Sequence, residues 1–200
     1  MKREPKGPTT RIIGGKYRGK KLFLPSKNVT RSSKARLRES LFNTLQFELI
    51  DRNFIEMFGG SGSVGLEAIS RGARRAWFVE FDRDAYKVLE KNCRAIDPDR
   101  CDWRWGDAFV EIPRILEEIA RKGEKTYLYI DPPFSIREGH ETIYDKVMAM
   151  AEVIDPKVIH RMIVEHMSKV PFPSHLGAFE KEKEKKFGKS TLSYYRPIGE

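Results

Sequence analysis

The stretch FIEMFGGSGSVG, residues 54–65, governs how the rest of this chain is read. An apolar, β-prone run ends at Glu56, and a glycine-rich loop follows. Gly60, Gly62 and Gly65 match G-x-G-x-x-G, between a predicted strand and a predicted helix. An acid, Glu80, closes the next predicted strand about 20 residues further on. A plain tight turn would explain the glycines alone. Strand, helix and acid together favour a loop whose backbone a nucleotide-like ligand approaches closely, with the acid holding two ribose hydroxyls.

Outward from this loop the chain alternates. RAWFVEF (75–81) predicts a strand and DRDAYKVLEKNCRAI (82–96) a helix capped by Asp82 or Asp84. CDWRWGD (101–107) predicts a third strand, AFVEIPRILEEIARKG (108–123) a helix and TYLYID (126–131) a fourth strand. HETIYDKVMAMAEV (140–153) reads as a helix and RMIVEH (161–166) as a fifth strand. Strands alternating with helices imply an α/β fold with a mostly parallel, doubly wound sheet. Upstream, KARLRESLFNTLQFEL (34–49) predicts a helix capped by Ser32 or Ser33, because Leu37, Leu41, Leu45 and Leu49 recur every four residues. Downstream, EKEKEKKFGKSTLSYYRPIGE (180–200) predicts two antiparallel strands, its charge run reading as a solvated face.

The fingerprint by itself suggests NAD, but Glu56 argues against a dinucleotide. It stands four residues before Gly60, where a pyrophosphate would meet a like charge. A ligand with an ammonium and no phosphate suits the site better, and S-adenosylmethionine is such a ligand. Glu56 would attract the methionine ammonium and Glu80 would accept from the ribose. Asp107, after the third strand, would accept from the adenine amine, or else merely cap the helix that follows. The three acids end three successive strands, the edge where open α/β sheets bind ligands.

The fourth strand ends in DPPF, so Asp131 points toward the same rim. Pro132 and Pro133 have no N–H, which makes this loop stiff and rich in acceptors. Acceptors without donors suit a substrate that is itself an amine. The Asp131 carboxylate and the Pro132 carbonyl could take the two hydrogens of an exocyclic NH2 and orient its lone pair for in-line transfer. Phe134 could stack on the base. The plainer alternative is a turn after a strand.

Charge points to a partner. The 200 residues carry a net charge of +9, and residues 1–40 hold 13 Lys+Arg against 2 Asp+Glu. A basic segment joined to a nearly neutral body reads as an arm for polyanions rather than a solvated tail. RIIGGKYRGKKLFLP (11–25) predicts a hairpin presenting Arg11, Lys16, Arg18, Lys20 and Lys21, and Arg36 joins them as a nucleic-acid contact. Residues 1–33 are thus read as a basic arm and residues 34–200 as the catalytic domain. Forty per cent hydrophobic residues argue for a folded core. The chain opens without the apolar core of a signal peptide and has no run long enough to span a bilayer, so a cytoplasmic location is expected. Two cysteines, Cys93 and Cys101, and four scattered histidines show no disulfide framework and no metal-ligand spacing.

Several segments together resemble a known family: RIIGGKYRGKKL, RLRESLFN, EMFGGSGSVGLEAISRGA, VEFDRDA, IDPPF and FGKSTLSYYR. They are similar to the bacterial 16S rRNA guanine-N2 methyltransferases of the RsmD type, from about residue 11 to 197. DPPF resembles the [DN]PP[FYW] motif of S-adenosylmethionine-dependent amino-methyltransferases, and the N-terminal block narrows the likeness to this group. The resemblance implies a Rossmann-like class I sheet of seven strands with a reversed C-terminal hairpin, and a small N-terminal hairpin that contacts RNA. It implies methyl transfer to the N2 amine of a guanine in 16S rRNA, within a small ribosomal subunit or an assembly intermediate, by a monomer. Asp131, Pro132 and Phe134 take the catalytic-motif positions, with Pro133 between them. Glu56, Gly60, Gly62, Glu80 and Asp107 take the cofactor positions, with Phe58, Ser61, Phe81 and Ala108 beside them. Two departures stand out: Glu56 replaces the usual Asp, and RSSKAR (31–36) replaces R-P-T-x-D-R, putting Ser32 and Ala35 at the Pro and Asp positions.

Three other functions fit parts of the pattern. An adenine-N6 methyltransferase on RNA or DNA would use the same acceptors, although 200 residues leave no room for a separate recognition domain. A non-catalytic assembly factor that binds S-adenosylmethionine or RNA would not need both Asp131 and Glu80. An NAD-dependent oxidoreductase is opposed by Glu56, the basic arm and the lack of a proton donor at the rim.

Overall fold

A computed structural model describes residues 7–26, 32–133 and 141–200. The chain opens with an antiparallel hairpin, β1 (Thr9–Arg11) and β2 (Lys21–Phe23). Helix α1 (Ser32–Leu45) follows, and then the alternation begins with β3 (Asn53–Glu56), α2 (Ser63–Ser70) and β4 (Arg75–Glu80). It continues through α3 (Arg83–Ile96), β5 (Cys101–Trp105), α4 (Ala108–Arg121) and β6 (Thr126–Ile130) to α5 (Glu141–Val153) and β7 (Ile159–Met167). Three antiparallel strands finish the chain: β8 (His175–Leu176), β9 (Phe179–Phe187) and β10 (Ser190–Pro197).

The main sheet runs β5-β4-β3-β6-β7-β10-β9-β8. Its first five strands are parallel, and β10 enters antiparallel between β7 and β9. The expected seven strands are therefore present, with the two-residue β8 added at the edge. Beyond β8 the charge run of β9 forms an open edge, where lysines discourage pairing with another chain. The order reverses at β3 and β6, and the crevice outside their C-terminal ends is where such sheets bind ligands.

Alternation along the strands fills two cores. Phe54, Phe78, Tyr127 and Tyr129 face α1, α2 and α3, whereas Ile55, Trp77, Leu128 and Ile130 face α4 and α5. A parallel sheet covered on both faces reads as nearly continuous apolar runs, which is why RAWFVEF and TYLYI lack a polar face. The predicted helix over 34–49 ends early, at Leu45. The amides of Glu48 and Leu49 both bond to the Leu45 carbonyl, which closes the last turn, and Asp51 then turns the chain with φ 58°. Leu49 is fully buried all the same, so the four-residue spacing reported burial beyond the helix itself.

The hairpin is docked on this body. Ile12 and Leu22 are buried in the same core as Leu37, Leu41 and Phe42. The Lys16 amide donates to the Ser70 carbonyl at 2.7 Å. Gly15, at φ 80°, passes so close that a Cβ there would lie 1.9 Å from the Ser70 oxygen. Buried Glu67 of α2 accepts from the amides of Ile13 and Gly14 and from Arg71, and Arg38 of α1 stands 3.6 Å away. Arg38 in turn donates to the Arg11 carbonyl at 2.8 Å. Backbone donors to Glu67 and the ion pair with Arg38 offset the cost of burying these charges, although Arg38 Nε has no hydrogen-bond partner among the described residues.

Candidate active site

Four acids expected at strand ends all stand along one rim of the sheet. Glu56 ends β3, Glu80 ends β4, Asp107 follows β5 and Asp131 follows β6. A cavity at the reversal point brings together Glu56, Phe58, Gly60, Ser61 and Asp131. The hairpin closes one wall with Thr9 and Thr10, and α1 closes another with Lys34, Ala35 and Arg38. Glu80, Phe81, Asp107 and Ala108 lie outside this cavity, further along the rim. Phe134 lies outside the described residues.

Local geometry explains the glycine spacing. Gly60 and Gly62 hold φ 54° and 77°, conformations that L side chains avoid. Gly65 lies where α2 crosses β4, and a Cβ there would come within 2.3 Å of the Phe78 ring. Its amide donates to Glu56 Oε2 at 2.7 Å, so one oxygen of this acid pins the helix start. Glu80 grips the same loop: Oε2 accepts from the Gly60 amide and Oε1 from the Asp82 amide, each at 2.8 Å. Asp107 caps α4 by accepting from the Phe109 amide at 2.9 Å. Next to these acids Phe81 is 75% exposed, and the indole of Trp105 donates to its carbonyl.

At the other end of the cavity stands a cluster of charges. Lys34 Nζ is 3.1 Å from Asp131 Oδ2 and 4.0 Å from Glu165 Oε1. The Tyr129 hydroxyl donates to Glu165 Oε2 in a short hydrogen bond. Among the described residues, Asp131 Oδ1 and Glu165 Oε1 are buried with no hydrogen-bond donor. Burial pushes the Glu56 carboxyl up to about 8, against the pull of the Gly65 amide, and the charge of Asp131 adds to the rise. Burial also pushes Glu165 up to about 7, helped by Asp131 and opposed by Lys34. The Lys34 ammonium is held above its usual range, chiefly by Asp131. Pro132 is buried beside Asp131, and its carbonyl is the next acceptor along the loop.

Glu165, Lys34 and Tyr129 were not singled out in the sequence. An acid inside the apolar run RMIVEH was the available signal, since carboxylates are rarely buried without a purpose or a partner. Lys34 occupies the variable position of RSSKAR, next to the Ala35 departure.

The donor set fits S-adenosylmethionine. Glu56, Asp131 and Glu165 line the cavity together with Lys34 and Arg38; Lys34 stands beside Asp131 and Glu165, which leaves Glu56 as the acid placed for an ammonium. The rim beyond it offers Glu80 and Asp107 beside the exposed Phe81 ring, as an adenosine requires.

The basic residues of the hairpin face outward. Arg11, Lys16, Arg18, Lys20 and Lys21 are all exposed. The Arg11 guanidinium donates to the Gly19 carbonyl, and the Lys16 ammonium lies over the Tyr17 ring. Arg36 lies apart from them, in a shallow cleft that it shares with Lys183 and Lys185 of β9. No helix among the described residues is long and apolar enough to cross a membrane.

Residues 10–196 match the model of a family described as conserved hypothetical protein 95. Ribosomal RNA small subunit methyltransferase D of Escherichia coli K12 is 37% identical over 134 residues, or 66% of this chain and 64% of that protein. The chain thus spans under two thirds of that relative. Among solved structures, yhhF of Escherichia coli, a proposed methyltransferase, superposes with a TM-score of 0.72 at 28% identity. That match covers 96% of this chain and all of the other. SMU.776, a proposed methyltransferase complexed with SAH, shares the fold with a TM-score of 0.66 at 11% identity, over 97% of this chain and 57% of the other.

Proposed function

Because the chain belongs to the conserved hypothetical protein 95 family, of RsmD type, we propose that it methylates the exocyclic N2 amine of a guanine in 16S rRNA. The observation that carries this is Asp131 Oδ1, a buried acceptor with no donor among the described residues, in a cavity that also holds Glu56 and Gly60. Its fold is the Rossmann-like class I methyltransferase fold. S-adenosylmethionine, when bound, supplies a methyl group activated by the positive sulfur. Glu56, Phe58, Gly60, Ser61, Gly62, Glu80, Phe81, Asp107 and Ala108 hold that cofactor. Asp131 and the Pro132 carbonyl accept the two amine hydrogens, which orients the nitrogen lone pair toward the methyl group. Asp131 Oδ1 would take the proton that the amine gives up as its bond to the methyl carbon forms and that carbon's bond to sulfur breaks. Pro133 stiffens the loop, and Phe134 stacks on the base.

Residues 1–33 serve as the RNA-contacting arm and residues 34–200 as the methyltransferase domain. Arg11, Lys16, Arg18, Lys20, Lys21 and Arg36 meet rRNA phosphates. Thr9 and Thr10 line the cavity, so RNA held on the hairpin lies beside the catalytic loop. The enzyme acts as a cytoplasmic monomer on a small ribosomal subunit or its assembly intermediate. Mapping by mass spectrometry of the base labelled in unmodified small-subunit particles tests this. N2-methylguanine is the expected product, and label on any other atom would refute the assignment.

A further inference from the structure

We propose that Glu165 selects guanine at this site, its carboxylate accepting the base's N1–H while Asp131 accepts from the N2 amine. This rests on the guanine-N2 function proposed above and supplies what the Asp-Pro-Pro loop by itself lacks, a way to tell guanine from adenine.

The two acids are neighbours by register. β6 and β7 run parallel with Ile130 opposite Val164, so Asp131 and Glu165 come next, side by side on adjacent strands. Such strands lie about 4.8 Å apart, and paired residues point to the same face. Both acids line the cavity, and each keeps one buried oxygen without a donor among the described residues. The other oxygen of Glu165 is fixed by the Tyr129 hydroxyl, so the carboxylate cannot turn freely.

A purely structural acid would explain the bond to Tyr129 but not the second carboxylate beside it. Two buried carboxylates side by side repel, Lys34 offsets only part of this, and each oxygen left without a donor costs free energy until one arrives. The pressure shows in Glu165 itself, held well above the usual carboxylate range by burial and by Asp131. A ligand with two adjacent donors relieves both acceptors together. The Watson–Crick edge of guanine offers such a pair, N1–H and N2–H. Adenine offers its N6 amine beside an N1 lone pair, which would face a carboxylate oxygen. Enzymes that act on single bases commonly read this edge once the base is out of its stack. A site built to hydrogen-bond one edge rejects an analogue that leaves its buried polar group unpaired.

The test replaces the target guanine with 2-aminopurine in reconstituted small-subunit particles. This base keeps the amine at carbon 2 but has a bare N1. Wild-type enzyme should lose roughly 10²-fold or more in kcat/KM on it. Glu165→Gln should reverse the preference, because Tyr129 holds the amide oxygen and leaves the NH2 to donate to N1. Equal rates of the wild type on both bases would overturn the proposal, and that comparison needs no variant. Equal losses on both bases in Glu165→Gln would also overturn it, leaving Glu165 a structural acid. Failure of the wild type to methylate guanine N2 at all would sink the parent function, and this inference with it.

Discussion

Lys34 of α1 holds its ammonium 3.1 Å from Asp131, the acid at the end of β6, across 97 residues of chain. The same ammonium lies 4.0 Å from Glu165. One cation therefore faces two carboxylates that would otherwise repel each other, and it opposes the upward push of burial and of Asp131 on Glu165. Without it, Glu165 would keep its proton to higher pH.

Turnover of the wild type should therefore rise as pH passes about 7, where Glu165 ionises. Lys34→Met keeps much of the stem and removes the charge that holds Glu165 down. The rise should move upward by about a pH unit, which costs roughly fivefold at pH 7 and is recovered in alkali. A pH–rate profile superposable on the wild type would remove Lys34 from this role.

Glu56 makes a second pH-dependent prediction. Its folded carboxyl is pushed to about 8 from an ordinary 4.5. Between those limits the folded chain holds a proton that the unfolded chain has released, so Glu56 lowers stability as pH rises through the window. Thermal melts should show Tm falling less steeply from pH 5 to 8 in Glu56→Gln than in the wild type. A bound ammonium should pull the same proton off. S-adenosylmethionine binding should thus release protons in calorimetry and tighten as pH rises toward 8, and Glu56→Gln should do neither.

Gly65→Ala should destabilise the fold. Alanine favours a helix interior by up to about 1 kcal/mol over glycine. Here its Cβ would press to 2.3 Å from the Phe78 ring, and overpacking of that kind costs about 1–3 kcal/mol. The clash should win, lowering Tm by about 2–4 °C per kcal/mol for a chain of this size. Phe78→Leu in the same chain should recover part of the loss.

The arm should be tested by charge and not by deletion, because Ile12 and Leu22 belong to the core. Replacing Arg11, Lys16, Arg18 and Lys20 with Gln removes four candidate phosphate contacts. The slope of log affinity for RNA against log salt should fall by roughly 3 units. S-adenosylmethionine affinity should not change, and an unaltered salt slope would place the RNA elsewhere.

Much of this architecture was legible in the sequence because its signals are local. Apolar runs, glycine spacing and an acid at or just after the end of each of β3, β4, β5 and β6 are readable one segment at a time, and together they order the rim. The cluster at Asp131 was not legible. Lys34 reads as one more cation on a helix, and its closeness to Asp131 depends on α1 crossing the end of β6. Glu165 becomes the neighbour of Asp131 only through the β6–β7 register. Glu67 and Arg38 were missed likewise: the buried bonds that seat the hairpin link three separate elements. Helix α1 stopped short of Leu49 because burial, and not helical continuity, set the leucine spacing.

The central claim, that Asp131 grips the guanine N2 amine of 16S rRNA for methylation, meets its most direct test in one comparison. Unmodified small-subunit particles are incubated with labelled S-adenosylmethionine and either wild-type protein or Asp131→Ala, and N2-methylguanine is counted per particle. The wild type should approach one N2-methylguanine per particle, and Asp131→Ala should yield almost none while still binding the cofactor. Comparable counts from the two proteins, or no N2-methylguanine from the wild type, would contradict it.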